Sequence, residues 1–145
     1  MKGVTPIVAI IILLLITIAL AGAAYTYLST YFQGVTGKAT QIIDAFCTGG
    51  TTTKIVIRNI GTQQLSLGNC AATPLTAGSG PSTCGDLTLT KSSGGAWGSA
   101  SFDASSLGVG VTSTFTDTCG SATFCSYRFL AAGSALGPAL ATVQC

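Results

Sequence analysis

Residues 7–24 read IVAIIILLLITIALAGAA, an apolar run whose only hydroxyl is on Thr17. As a helix these eighteen residues rise roughly 27 Å, close to the thickness of a bilayer core. The run is apolar on every side, so something must cover it all round. Thr5 is placed to cap this helix, and Pro6 to sit in its first turn, where a missing N–H costs nothing. Residues 25–46, YTYLSTYFQGVTGKATQIIDAF, carry a different pattern. Leu28, Tyr31, Phe32, Val35, Ala39, Ile42, Ile43 and Phe46 recur at three- and four-residue steps, a helical period. Gly34 and Gly37 each weaken a helix by about 1 kcal/mol relative to Ala and could mark a bend. The pattern predicts one helix over residues 4–46, on the order of 60 Å long, apolar throughout its first half and amphipathic in its second.

Beyond residue 46 the period changes to two. In residues 51–60, TTTKIVIRNI, Ile55 and Ile57 fall on one face and Lys54, Val56 and Arg58 on the other. Asn59 to Thr62 supply turn chemistry, and Leu65 and Leu67 then alternate, which predicts a hairpin of residues 51–60 with 63–69. Alternation recurs in residues 86–91 through Leu87 and Leu89, and in 109–116 through Val109, Val111, Ser113 and Phe115. Residues 127–131 and 139–145 complete six or seven short strands separated by Gly, Ser and Asn, the signature of an all-β sandwich. The stretch SSGGAWGSAS, residues 92–101, reads as a loop, with Trp97 available for core packing, a subunit contact or stacking on sugars.

Composition narrows the functional classes. Charged residues make up 7% of the 145, mean hydropathy is +0.62, and net charge is +2. There is no Glu and no His, so the usual general acids and bases reduce to Asp44, Asp86, Asp103 and Asp117, which are read as turn or surface residues. No enzyme, cofactor or metal site is expected. The Lys and Arg residues are not clustered, which argues against nucleic acid as a partner. Asn59 and Asn69 both lack the hydroxyl that N-glycosylation needs, whereas the Ser and Thr content could carry O-linked sugars.

The six cysteines, Cys47, Cys70, Cys84, Cys119, Cys125 and Cys145, all follow the helical region. An even number in a β domain suggests three disulfides and an oxidising exterior. Sequence leaves fifteen pairings open. Cys70–Cys84 would close a Pro- and Gly-rich loop, Cys119–Cys125 a short one, and Cys47–Cys145 would then tie the entry of the β domain to its end. The absence of a Cys-x-x-Cys pair counts against a metal site.

Three readings compete for the apolar run: a cleavable secretory signal with Ala21-Gly22-Ala23 as its small-residue site, a plain membrane anchor, or the helix of a filament subunit. Lys2 before the run and Tyr25, Tyr27, Tyr31 and Phe32 after it suggest a membrane-inserted precursor with its N-terminus cytoplasmic. The N-terminus MKGVTPIVAIIILLLITIALAGAAY resembles an archaeal type IV pilin of the adhesive type. A basic residue and Gly precede a Val-Thr-Pro-Ile start, and the apolar run ends in small residues and aromatics. The stretch KIVIRNIGTQQLSL resembles a hairpin of such pilin heads. The resemblance implies cleavage by a prepilin peptidase between Gly3 and Val4. The bacterial relatives carry a Glu where this chain has Val8, as in the archaeal pattern.

The resemblance also implies a lollipop-shaped α+β protein: a short leader (1–3), a helix (4–46) and a disulfide-rich, Ig-like β-sandwich head (47–145). It implies a homo-oligomeric extracellular filament for surface adhesion, built by a pilus assembly machinery. Ile7, Ile10, Ile11, Leu14, Ile18, Ala21 and Gly22 would be the assembly residues. The alternative is a single-pass membrane-anchored surface binding protein, or a minor pilin, that never polymerises.

Overall fold

The computed structural model describes residues 4–35, 37–73, 75, 80–93, 95–120, 123–134 and 136–145. The expected leader, residues 1–3, lies outside them. The chain divides into two compact units, Met1–Gln33 and Gly34–Cys145.

Helix α1 spans Val4–Val35. Thr5 therefore lies inside the helix rather than capping it, and Pro6 is in the first turn. The helix ends at Val35, not at residue 46 as expected. Residues expected to continue it form strand β1, Thr40–Thr48. Two glycines weaken the helix here, and β-branched Thr40, Ile42 and Ile43 follow, which favour the pleated conformation. The misleading period has a structural cause. β1 carries a bulge between Ile42 and Asp44, so its partly buried side chains fall at Thr40, Ile42, Ala45 and Cys47. The bulge breaks the alternation that would mark a strand, and the exposed Ile43 and Phe46 fill out a helical period instead.

The remaining strands are β2 (Thr52–Asn59), β3 (Leu65–Ser66), β4 (Ser82–Cys84), β5 (Leu87–Ser93), β6 (Ser101–Phe102), β7 (Ser106–Leu107), β8 (Thr112–Thr118), β9 (Phe124–Ala131) and β10 (Ala139–Gln144). One sheet has the order β1-β2-β8-β6, a second β10-β9-β5-β4, and β3 pairs with β7. Every pairing is antiparallel. The protein is thus α+β: one long helix, then a sandwich-like β head. The short strands β4, β6 and β7 carry too few residues to announce an alternation. Val109 and Val111, expected in a strand, are exposed and precede β8.

The expected hairpin of residues 51–60 with 63–69 does not form. β2 lies between β1 and β8, and Leu65 and Ser66 pair with Leu107 and Ser106. Asn59 redirects the chain. Its buried amide donates to the Gln63 carbonyl at 2.7 Å and the Leu107 carbonyl at 3.0 Å, and its Oδ1 accepts the Gly61 N–H at 2.9 Å. These bonds give the end of β2 a turn that leads to β7 instead of back along β2. Gly85 makes the tight turn between β4 and β5. It has φ +58°, and a Cβ there would collide with the Ser66 carbonyl oxygen.

The core lies between the two sheets. Ile55, Ile57 and Phe115 face inward from one, and Leu87, Leu89, Tyr127 and Phe129 from the other. Phe115 is its centre. Its ring lies 5.0 Å from Phe102, 5.3 Å from Phe129, 5.8 Å from Tyr127 and 6.2 Å from Trp97. Trp97 is buried at 3% exposure, so its packing role prevails over sugar stacking. All six cysteines are paired, as Cys47–Cys145, Cys70–Cys84 and Cys119–Cys125. The first joins β1 to the residue after β10, the outer strands of the two sheets on one side of the sandwich. Across its sequence separation of 98, the loss of unfolded-state freedom is the largest of the three, in a class worth roughly 2–4 kcal/mol per bridge. Phe115→Ala should lower the unfolding free energy by about 3–5 kcal/mol in a urea titration monitored by tryptophan fluorescence.

Candidate functional site

The feature that sets this chain apart is the surface of α1. Within it, Pro6–Phe32 is by length and composition apolar enough to cross a membrane. Twenty-seven helical residues rise about 40 Å. Ile10 is 67% exposed, Leu14 57% and Ile18 61%, with Ile7 and Ile11 also exposed. Ile7, Ile11, Leu14, Ile18 and Ala21–Gly22 follow one another at three- and four-residue steps, so the helix carries them down a single side. Ile10 flanks that side. A Cβ at Gly22 would touch nothing of this chain within 4 Å.

Three threonines of the helix bond back to its own backbone. Thr17 donates to the Leu14 carbonyl at 2.8 Å, Thr26 to that of Ala23 at 2.9 Å and Thr30 to that of Thr26 at 2.9 Å. These hydroxyls are satisfied without water, as an apolar environment demands. No acidic or basic side chain lies in the first or last turn. Of the expected processing site, Gly3 lies outside the described residues and Val4 is the first residue of the helix.

The head holds a second cluster that the sequence reading missed. Lys91 on β5 and Asp117 on β8 meet at 2.7 Å with both side chains at 0% exposure. The ammonium also donates to the Ala96 carbonyl at 2.9 Å and the Thr118 carbonyl at 2.8 Å, and lies 5.9 Å from the Trp97 ring and 5.7 Å from the Tyr127 ring. Asp117 Oδ1 accepts the Gly98 N–H at 2.8 Å, while Oδ2 takes the Tyr127 hydroxyl at 2.9 Å as well as Lys91. Thr53 Oγ1 is 2.8 Å from the Tyr127 hydroxyl and 3.0 Å from the Asp117 backbone carbonyl, and its one proton serves one of them at a time. Burial, ahead of the neighbouring Asp117 charge, pushes the Tyr127 phenol well above its ordinary value. The cluster joins β2 and β8 of one sheet to β5 and β9 of the other.

Asp117 was expected at a turn or on the surface. It is buried because β8 alternates inward through Ser113, Phe115 and then Asp117, just as β5 alternates through Leu87, Leu89 and then Lys91. That continued alternation was the available signal, overruled by the residues' charge. The other acids behave differently. Asp44 is exposed at the bulge of β1. Asp103 accepts the Ser113 hydroxyl and the Thr114 N–H. Asp86 pairs with Lys38 at 2.7 Å at the solvent margin, and accepts the Ser66 N–H at 2.8 Å. A shallow cleft of about 370 Å³ on the head is lined by Thr40, Gln41, Ile42, Ile60 and residues 136–140, with no titratable side chain.

No family model and no curated protein matches the sequence. Among solved structures the chain is similar to the archaellum periplasmic stator protein FlaG from Sulfolobus acidocaldarius. The TM-score is 0.46 and the identity 13%, over 73% of this chain and 99% of that one. The likeness is one of chain arrangement and carries no functional argument.

Two measurements test this account. Lys91→Met leaves a buried carboxylate without its cation and should destabilise the head by about 3–5 kcal/mol in chemical denaturation. The Lys38 ammonium, through its hydrogen bond first, and then the Ser66 N–H hold the Asp86 carboxyl below the usual carboxylate range. A lowered folded-state value means that this stabilisation is complete above the unfolded value of about 3.9 and fades as pH falls through the folded value. Asp86→Asn should therefore be less stable than the wild type at neutral pH by about 0.2–1 kcal/mol, the range for a partly solvated pair. Urea unfolding repeated at stepwise lower pH should show that gap closing.

Proposed function

We propose that this chain is a structural subunit of an extracellular filament of the archaeal type IV pilus kind, polymerising through α1 and serving surface adhesion. The observation that carries the reading is the segment Pro6–Phe32, long enough to cross a membrane and apolar all round, with its large side chains exposed. Such a helix needs an apolar environment on every side. In the precursor that environment is the membrane, with the N-terminus cytoplasmic and the head outside. In the filament it is a bundle of identical helices.

Lipid and bundle are similarly apolar, so transfer between them depends on packing more than on the hydrophobic effect. Ala19, Ala21, Gly22, Ala23 and Ala24 let backbones approach closely. The contact between copies is heterologous and does not close, so it propagates as a helical polymer. Once the bundle is surrounded by water, burial of Ile and Leu side chains at about 25 cal/mol per Å² holds it together. The disulfide-bonded head suits the oxidising exterior. Processing by a prepilin peptidase between Gly3 and Val4 and delivery by a pilus assembly machinery complete the proposal.

Negative-stain microscopy of material sheared from expressing cells should show filaments composed of this chain, and Leu14→Lys should abolish them. Wild-type protein found solely as membrane-bound monomers, or filaments of normal abundance from Leu14→Lys, would refute the role and favour a non-polymerising anchored binding protein.

A further inference from the structure

Lys91 and Asp117 combine three properties that an ordinary structural ion pair does not need. Both side chains are wholly out of solvent, with Nζ 2.7 Å from Oδ2. The two carboxylate oxygens have different partners: Oδ1 faces the Gly98 N–H at 2.8 Å, and Oδ2 faces the Tyr127 hydroxyl at 2.9 Å. The pair also spans the two sheets, from β5 to β8. We propose that Lys91 and Asp117 condense into an intramolecular amide that covalently links the two sheets through the core.

The step needs no oxidant, metal or cofactor. One proton passes from Nζ to Oδ2 along the existing hydrogen bond. The nitrogen lone pair released adds to Cγ, and charge develops on Oδ1, where the Gly98 N–H already points. A second proton leaves Nζ, the Cγ–Oδ2 bond breaks, and Oδ2 departs with both protons as water. Oδ1 becomes the amide oxygen, and the single remaining N–H stays beside the Ala96 and Thr118 carbonyls. Tyr127 stays protonated because it is buried, so it donates to the departing oxygen throughout. Two forces favour the reaction. The fold holds nucleophile and electrophile together as one intramolecular pair. Condensation also replaces two desolvated ions with a neutral group.

The chain carries its own control. Lys38 and Asp86 meet at the same 2.7 Å, but their side chains are 27% and 23% exposed. Water keeps these two as ions, so they should remain unlinked.

The test is mass spectrometry of the purified, fully reduced wild-type chain. Its intact mass should be one water lighter than that of a Lys91→Arg variant after allowing for the substitution. Chymotrypsin, cutting after Trp97, Phe102 and Phe115, should release a branched peptide joining Lys91 to Asp117, while Lys38 and Asp86 appear in linear peptides. If Lys91→Arg does not fold, the wild-type digest decides alone. Linear peptides with unmodified Lys91 and Asp117 would overturn the proposal. So would a lost water that maps to any other position. Neither result depends on whether the chain forms filaments.

Discussion

Among the described residues, the buried core of the head is drawn from residue 39 onward. The Ile and Leu side chains of α1 are exposed. The remaining residues are rich in Gly, Ser and Thr, which bury little area each and lose much conformational freedom on folding. A sandwich built from such residues needs devices beyond simple burial.

Those devices are distributed with some economy. The large inward side chains converge on Phe115, so one ring touches aromatic partners from a neighbouring strand, from the facing sheet and from the 95–100 loop. The disulfides act where hydrogen-bonded pairing cannot. Cys47–Cys145 joins outer strands of different sheets, and Cys119–Cys125 ties the connection between β8 and β9 as it passes from one sheet to the other. The Lys91–Asp117 pair adds direction to the core. An apolar pair would tolerate sliding of one sheet over the other. A carboxylate with a distinct donor at each oxygen does not.

Much of this was legible in the residues. The helix was plain from residues 7–24, β2, β5 and much of β8 from their alternation, and β9 and β10 from short apolar runs set off by turn residues. What escaped has specific physical causes. β1 was hidden because its bulge broke the period that identifies a strand. The partner of β3 was hidden because Asn59 redirects the chain to β7, some forty residues later in sequence, through side-chain bonds that local patterns do not encode. Lys91 and Asp117 were hidden because each is stable inside only when the other is there, and they lie 26 residues apart. The turn at Gly85 and the packing of Trp97 depend equally on tertiary neighbours.

The bridge between Cys47 and Cys145 also decides how the head would respond to tension. A pull transmitted along α1 enters the head at the start of β1 and meets the bridge before that strand ends. Only the short stretch ahead of Cys47 can be drawn out. Everything from there to Cys145 is held in a closed covalent ring, which can deform but cannot be unravelled from its ends while the sulfurs stay joined. Under oxidising conditions, an overloaded head would therefore lengthen by a few residues and then stop.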